Sequence, residues 1–133
     1  MTTATFYKTV MAASGERDRE RMRRAAAAVL HALRDRLTVE EADQAQAQLP
    51  LELKEVWAEG ERVEQAPLRL SQEEFYARVQ REAGLPSPRE ARWMTLAVFA
   101  ALKEQLSPGE AGDVFAQLPK ALKELWLEAL VRP

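Results

Sequence analysis

An all-α fold is what this 133-residue sequence predicts, on three observations. First, one phrase occurs twice. Leu33, Leu37, Glu41-Ala42, Ala47-Gln48-Leu49-Pro50, Leu53-Lys54-Glu55 and Trp57 return as Leu102, Leu106, Glu110-Ala111, Ala116-Gln117-Leu118-Pro119, Leu122-Lys123-Glu124 and Trp126. Every pair is 69 residues apart, so the copies align without a gap, and missing such a repeat miscalls a fold. Second, hydroxyl, proline and glycine residues punctuate the chain where helices start and stop. Third, no segment alternates apolar and polar residues as a half-buried strand would.

The repeat reaches back to Phe6-Tyr7, Val10 and Gly15, which return as Phe75-Tyr76, Val79 and Gly84. Each half therefore reads as four helices. The expected arrangement is one compact helical domain made of two pseudo-symmetric four-helix repeats, residues 2–60 and 71–129, joined by a polar linker over 60–70 that contains Pro67.

The first helix of each half is short. Thr2 begins one and Ser71 the other, and Ser71-Gln72-Glu73-Glu74 has the spacing of a capping box. Phe6 with Val10, and Phe75 with Val79, are four apart and share a face. Gly15 and Gly84 stop these helices, because glycine enters the left-handed cap without a steric penalty.

The second helix is the long one, expected over 18–37 and 87–106. Asp18 caps the first copy, and Ser87-Pro88-Arg89-Glu90 gives the second a cap hydroxyl, a proline and a capping carboxylate. Met22, Ala26, Val29, Leu33 and Leu37 recur at three- and four-residue spacing, which is a buried stripe. Thr38-Val39-Glu40-Glu41 and Ser107-Pro108-Gly109-Glu110 read as two further capping boxes that start a third helix. It ends at Leu49 and Leu118, since a residue before proline is pushed out of the helical region. Pro50 and Pro119 then open the fourth helix, whose inner face is Leu53, Val56 and Trp57, or Leu122, Leu125 and Trp126.

With these residues assembled, the chain resembles the bacterial family catalogued as domain of unknown function 2267. The resemblance rests on Ala28-Val29-Leu30, Leu33, Arg36-Leu37-Thr38, Glu41-Ala42, Gln48-Leu49-Pro50 and Leu53, with matches in the second half. It covers nearly the whole chain. The second half departs in having Gln105 where the first has Arg36, and Gly112 inside its third helix. The resemblance implies a helical fold and carries over no activity and no site residue.

Composition narrows the functional classes. Hydrophobic residues make up 47% and charged residues 30%, the balance of a globular chain. A net charge of −2 gives no bulk attraction to nucleic acid or an anionic membrane. Cysteine is absent, so there is no disulfide framework and no thiolate chemistry. The N-terminus lacks a charged region followed by an apolar run, and no stretch approaches the ~20 apolar residues of a membrane span, so a cytoplasmic protein is expected. Asparagine and isoleucine are also absent while arginine and glutamate abound, a bias of heat-adapted proteins that a GC-rich genome produces too.

No catalytic, cofactor or metal set is expected. His31 is the single histidine, and of its helical neighbours only Asp35 can engage it; position 100, its counterpart, is alanine. Acid–base and metal sites need constellations, which a lone imidazole does not supply. Glu40, Glu41 and Asp43, or Glu52, Glu55 and Glu59, have the chemistry of hard-metal ligands, but the first group sits at a cap and the second on a solvated face. An uncharacterised small-ligand or carboxylate-metal enzyme is thus an alternative, not the main reading.

On a helix, Arg17, Arg21 and Arg24 fall along one side, a candidate anion-binding stripe for a polyanion or nucleic acid. Asp18 and Glu20 neutralise it locally, and the second half has no such stripe. The two copies differ where Arg24, Ala25, Ala27, Ala45, Gln46 and Ala58 stand opposite Trp93, Met94, Leu96, Val114, Phe115 and Leu127. We expect these larger residues to fill the space left by Ala25-Ala26-Ala27-Ala28, each buried aromatic contributing about 2–3 kcal/mol. If they are instead outside, Trp93, Leu96, Phe115 and Leu127 are candidate contacts for a protein partner or a second copy of the chain. A non-enzymatic interaction or oligomerisation module is the leading functional expectation.

Overall fold

A computed structural model describes residues 2–61 and 67–129, all of their regular structure being α-helix. The helices are α1 Thr3–Ser14, α2 Arg19–Arg36, α3 Val39–Ala47, α4 Leu51–Ala58, α5 Gln72–Ala83, α6 Pro88–Gln105, α7 Pro108–Gln117 and α8 Lys120–Glu128. Of the linker expected over 60–70, residues 62–66 lie outside the described residues. Among the described residues no helix is long and apolar enough to cross a membrane.

The ends of the helices follow from local chemistry. Thr2, Asp18, Thr38, Ser71 and Ser107 each accept from the backbone N–H three residues on, satisfying one of the orphan amides at a helix start. Gly15 and Gly84 close α1 and α5 at φ of 77° and 67°, in the left-handed region that favours glycine. Pro50 and Pro119 are the N-caps of α4 and α8, one position earlier than expected.

Three of the four expected capping boxes are incomplete. Only Ser71 and Glu74 form the reciprocal pair. The Ser87 hydroxyl donates to the Glu90 carboxylate and makes no bond to the helix backbone. At Thr38 and Ser107 the hydroxyl half forms, but the N-cap amide is taken from elsewhere. Gln117 Oε1 accepts from Thr38 N–H at 3.0 Å, and Gln48 Oε1 accepts from Ser107 N–H at 2.7 Å. A sequence pattern cannot foresee this, because the competing acceptor comes from the opposite half of the chain.

The packing is crossed. α1 lies chiefly against α6 of the second half, and α5 lies chiefly against α2 of the first, with α2 and α6 also touching. Phe6, Val10, Phe75 and Val79 are fully buried by this exchange. Ala25, Ala26, Ala28 and Ala32 on α2 are buried too, so the thin helix is used for close approach. In the second half Phe75, Phe99 and Trp126 form a ladder, with ring centroids 6.3 Å and 5.1 Å apart. Position 30, which corresponds to Phe99, holds Leu30.

The expectation that the larger residues of the second half fill the core holds in part and needs correction at Trp93 and Leu127. Met94 and Val114 are buried, and Leu96 and Phe115 pack half-buried against the core. Trp93 is 46% exposed and Leu127 64% exposed. Helical geometry explains it. Ala91, Met94, Thr95, Val98 and Leu102 face inward at three- and four-residue steps, which leaves position 93 a full residue off that stripe. Leu122, Leu125 and Trp126 do the same on α8 and leave Leu127 outside.

Each long helix also supplies a cation, buried Arg34 or half-buried Lys103, that closes the end of a fourth helix. Arg34, 4% exposed, donates through Nη1 to the carbonyls of Trp57 at 2.5 Å and Glu59 at 2.6 Å, and through Nη2 to that of Gly60 at 3.1 Å. Lys103 Nζ donates to Trp126 O and Ala129 O, both at 2.8 Å. These are the orphan carbonyls of α4 and α8, and a cation there also complements the helix dipole. Arg34→Ala should therefore destabilise the chain by about 3–5 kcal/mol in urea unfolding, because it strands the buried Trp57 carbonyl and leaves the other two helix-end carbonyls without their cation. Arg34→Lys should cost clearly less, as Lys103 does the equivalent task with fewer bonds.

Candidate functional site

Among the described residues the exposed large apolar side chains are Val39, Leu51, Trp93 and Leu127, the last two on the contacting helices α6 and α8. Arg92 at the start of α6 and Glu128 at the end of α8 are joined by a 2.7 Å ion pair, and Trp93 and Leu127 are the residues adjacent to it in the chain. The Arg89 guanidinium lies 4.8 Å from the centre of the Trp93 ring, a cation–π contact that leaves the indole accessible. A small cleft of about 200 Å³ beside Trp93 is lined by Leu85, Pro86, Met94, Arg21 and Glu90 among others. Phe115 is capped differently, with Lys123 Nζ 5.5 Å from its ring centre.

The basic stripe does not form as one helix face. Arg17 lies in the segment before α2, because Asp18 is the cap and the helix starts at Arg19. Arg21 stands 4.0 Å from Glu16. Arg24 Nε donates to the Glu82 carbonyl of α5 at 3.0 Å, and its guanidinium packs over Gly84, where a Cβ would meet it at 3.3 Å. Arg24 is thus a clamp on the crossed α5 helix. Its counterpart 69 residues on is Trp93.

His31 is likewise absorbed by the fold. Its Nε2 donates to the Val56 carbonyl at 2.6 Å, and Asp35 is not its partner. Asp35 is held by Arg34 Nε at 2.9 Å and Arg78 Nη2 at 2.8 Å. Burial by itself would raise the Asp35 pKa, but hydrogen bonds and charge from the two arginines outweigh it and hold the carboxyl below its usual range. Elsewhere an open cleft of about 630 Å³ between α1, α2 and α4 carries Tyr7, Arg23, Glu52, Glu55 and Glu59, with Arg23 stacked 5.4 Å from the Tyr7 ring centre.

The group that local sequence reading missed lies between α3 and α7. Because Gln117 and Gln48 occupy the N-cap amides, Glu41 and Glu110 are released from capping. They are 6% and 7% exposed, and each has a buried oxygen, Oε1 of Glu41 and Oε2 of Glu110, with no hydrogen-bond partner. Asp113, one turn after Glu110, completes the cluster. One carboxylate oxygen of each of the three lies within 4.8 Å of the others. Glu40 and Asp43, singled out beside Glu41 in the sequence, are exposed and outside this group. The available signal was that Glu41 and Glu110 recur 69 residues apart, one on α3 and one on α7, helices that contact each other.

Burial, the facing Glu110 carboxyl and the negative charges of Asp113 and Glu40 raise the Glu41 pKa to about 8. Two ionised carboxylates are acceptors only, and a proton on Glu41 turns one into a donor. The folded chain holds that proton up to about pH 8, while an unfolded glutamate releases it at the ordinary 4.5. The folded state binds more protons in that window, so stability falls as pH rises through it. With divalent ions chelated, the melting temperature should decline from pH 5 to pH 8. Glu41→Gln should flatten that decline and raise the melting temperature near pH 8 by several degrees.

The sequence profile of the family described as "Uncharacterized conserved protein (DUF2267)" matches residues 3–125. The chain belongs to the DUF2267 family. Nearly all of α1 to α8 falls within the DUF2267 match, including Glu41, Glu110 and Asp113 as well as Trp93. No curated protein matches the chain.

Proposed function

We propose that this DUF2267 chain is a non-enzymatic helical module for protein interaction or oligomerisation, built from two pseudo-symmetric four-helix units. The duplicated-unit reading draws support from several correspondences at the same 69-residue offset. α1 and α5 begin at Thr3 and Gln72, and α2 and α6 at Arg19 and Pro88. Arg34 and Lys103 close α4 and α8 in the same way, and Gln48 and Gln117 exchange caps reciprocally.

The functional reading is carried by Trp93. The second half has an indole where the first has a charged clamp, and that indole is 46% exposed beneath Arg89. Leu127, where the first half has Ala58, is exposed on the neighbouring helix. Residues that enlarge the apolar surface without entering the core favour a contact role, and tryptophan with arginine is the composition of binding hot spots. The polyanion reading draws less support, since Arg24 is engaged with α5 and Arg17 precedes α2.

Sedimentation velocity over the micromolar range tests the proposal. The chain should show concentration-dependent association that the double variant Trp93→Ala, Leu127→Ala abolishes. Trp93→Ala should cost less than about 1.5 kcal/mol of stability, against about 3–5 for buried Trp57→Ala. A strictly monomeric chain, with a photo-crosslinker at position 93 that captures nothing in cells, would end this reading.

A further inference from the structure

We propose that Glu41, Glu110 and Asp113 bind one hard divalent cation at the junction of α3 and α7. Three features of the cluster point there. The donor set is all carboxylate oxygen, with no histidine or cysteine, which selects Mg²⁺, Mn²⁺ or Ca²⁺ over softer metals. Two oxygens on opposite sides of such an ion, at ~2.0–2.6 Å each, stand roughly 4–5 Å apart. The three ligand oxygens fit that span, lying within 4.8 Å of one another.

The second feature is independent of proximity. Glu41 Oε1 and Glu110 Oε2 are buried with no hydrogen-bond partner, in side chains more than nine-tenths buried. Native chains seldom leave such atoms without a partner, and a cation satisfies both acceptors at once. The third is charge. The groups that act on Glu41 are Glu110, Asp113 and Glu40, all negative, so the chain's own side chains add to the repulsion there. Asp113 is exposed and gives the ion a path from solvent. Gln48 and Gln117 act as positioning residues, since they free the two glutamates from helix capping.

A bound ion would clip α3 to α7, and so one half of the chain to the other, and would displace the proton that Glu41 otherwise keeps. The reading differs from proton sharing alone in its dependence on the metal. Thermal unfolding of the full chain at pH 7.5 compares chelator with millimolar MgCl₂, MnCl₂ or CaCl₂, each against NaCl of equal ionic strength. At least one of the three should raise the melting temperature by several degrees, and calorimetric titration with that ion should release protons and weaken about tenfold per unit of pH below 7.5. Glu110→Gln, which relieves repulsion and keeps the shape, should fold and lose the response. Asp113→Asn, at an exposed position, should fold and weaken it. No ion-specific shift with any of the three salts, or a full shift retained in Glu110→Gln or in Asp113→Asn, overturns the proposal.

Discussion

The structure depends on the crossing of its first helices. α1 and α5 are short, and each has one narrow apolar face, Phe6 with Val10 or Phe75 with Val79. Helices of this length gain little from backbone propensity and hold only by burying such a face. Each does so mainly against the long helix of the opposite half, α6 or α2. Neither half therefore closes its own core, and the thin, alanine-rich surface of α2 makes sense as the seat for α5. The Arg24 clamp on the end of α5, and the Gly84 that leaves room for it, follow from the same arrangement.

Once the halves interlock, their polar groups are reassigned across the junction. The glutamines before Pro50 and Pro119 reach the N-caps of α7 and α3, so the glutamates that ordinarily serve those caps have no amide to accept from. They turn inward and meet. Burying two carboxylates in contact is costly unless a proton or a cation neutralises them, so this junction concentrates negative charge without a basic partner among the groups acting on Glu41. Arg34 and Lys103 show the opposite solution. There a buried or half-buried cation is matched by two or more carbonyls, and the charge stabilises the ends of α4 and α8.

Trp93 and Leu127 stand apart from this internal economy. They lie off the inward stripes of α6 and α8, so their size contributes little to the core, and the first half has Arg24 and Ala58 in their places. The proposed contact role rests on that difference in residue type and on the exposure of the two side chains. The His31 imidazole and the Arg17–Arg24 region, which catch the eye in the sequence, turn out to be occupied by backbone carbonyls or split by a helix start.

What the sequence by itself determined was everything governed by near neighbours. The helical class, the glycine stops at Gly15 and Gly84, the Ser71–Glu74 box, the Asp18 cap and the buried faces carrying Phe6, Phe75, Trp57 and Trp126 all depend on residues within a turn or two. Membership of the DUF2267 family was legible for the same reason, in short motifs at fixed spacing. The tertiary structure decided which helix each face packs on, which acceptor wins each N-cap amide, that Trp93 points outward, and that Glu41 meets Glu110 and Asp113. Those outcomes are set by competition between groups some 69 residues apart. Local pattern carries no information about distance through space, and only the packed core chooses among such partners.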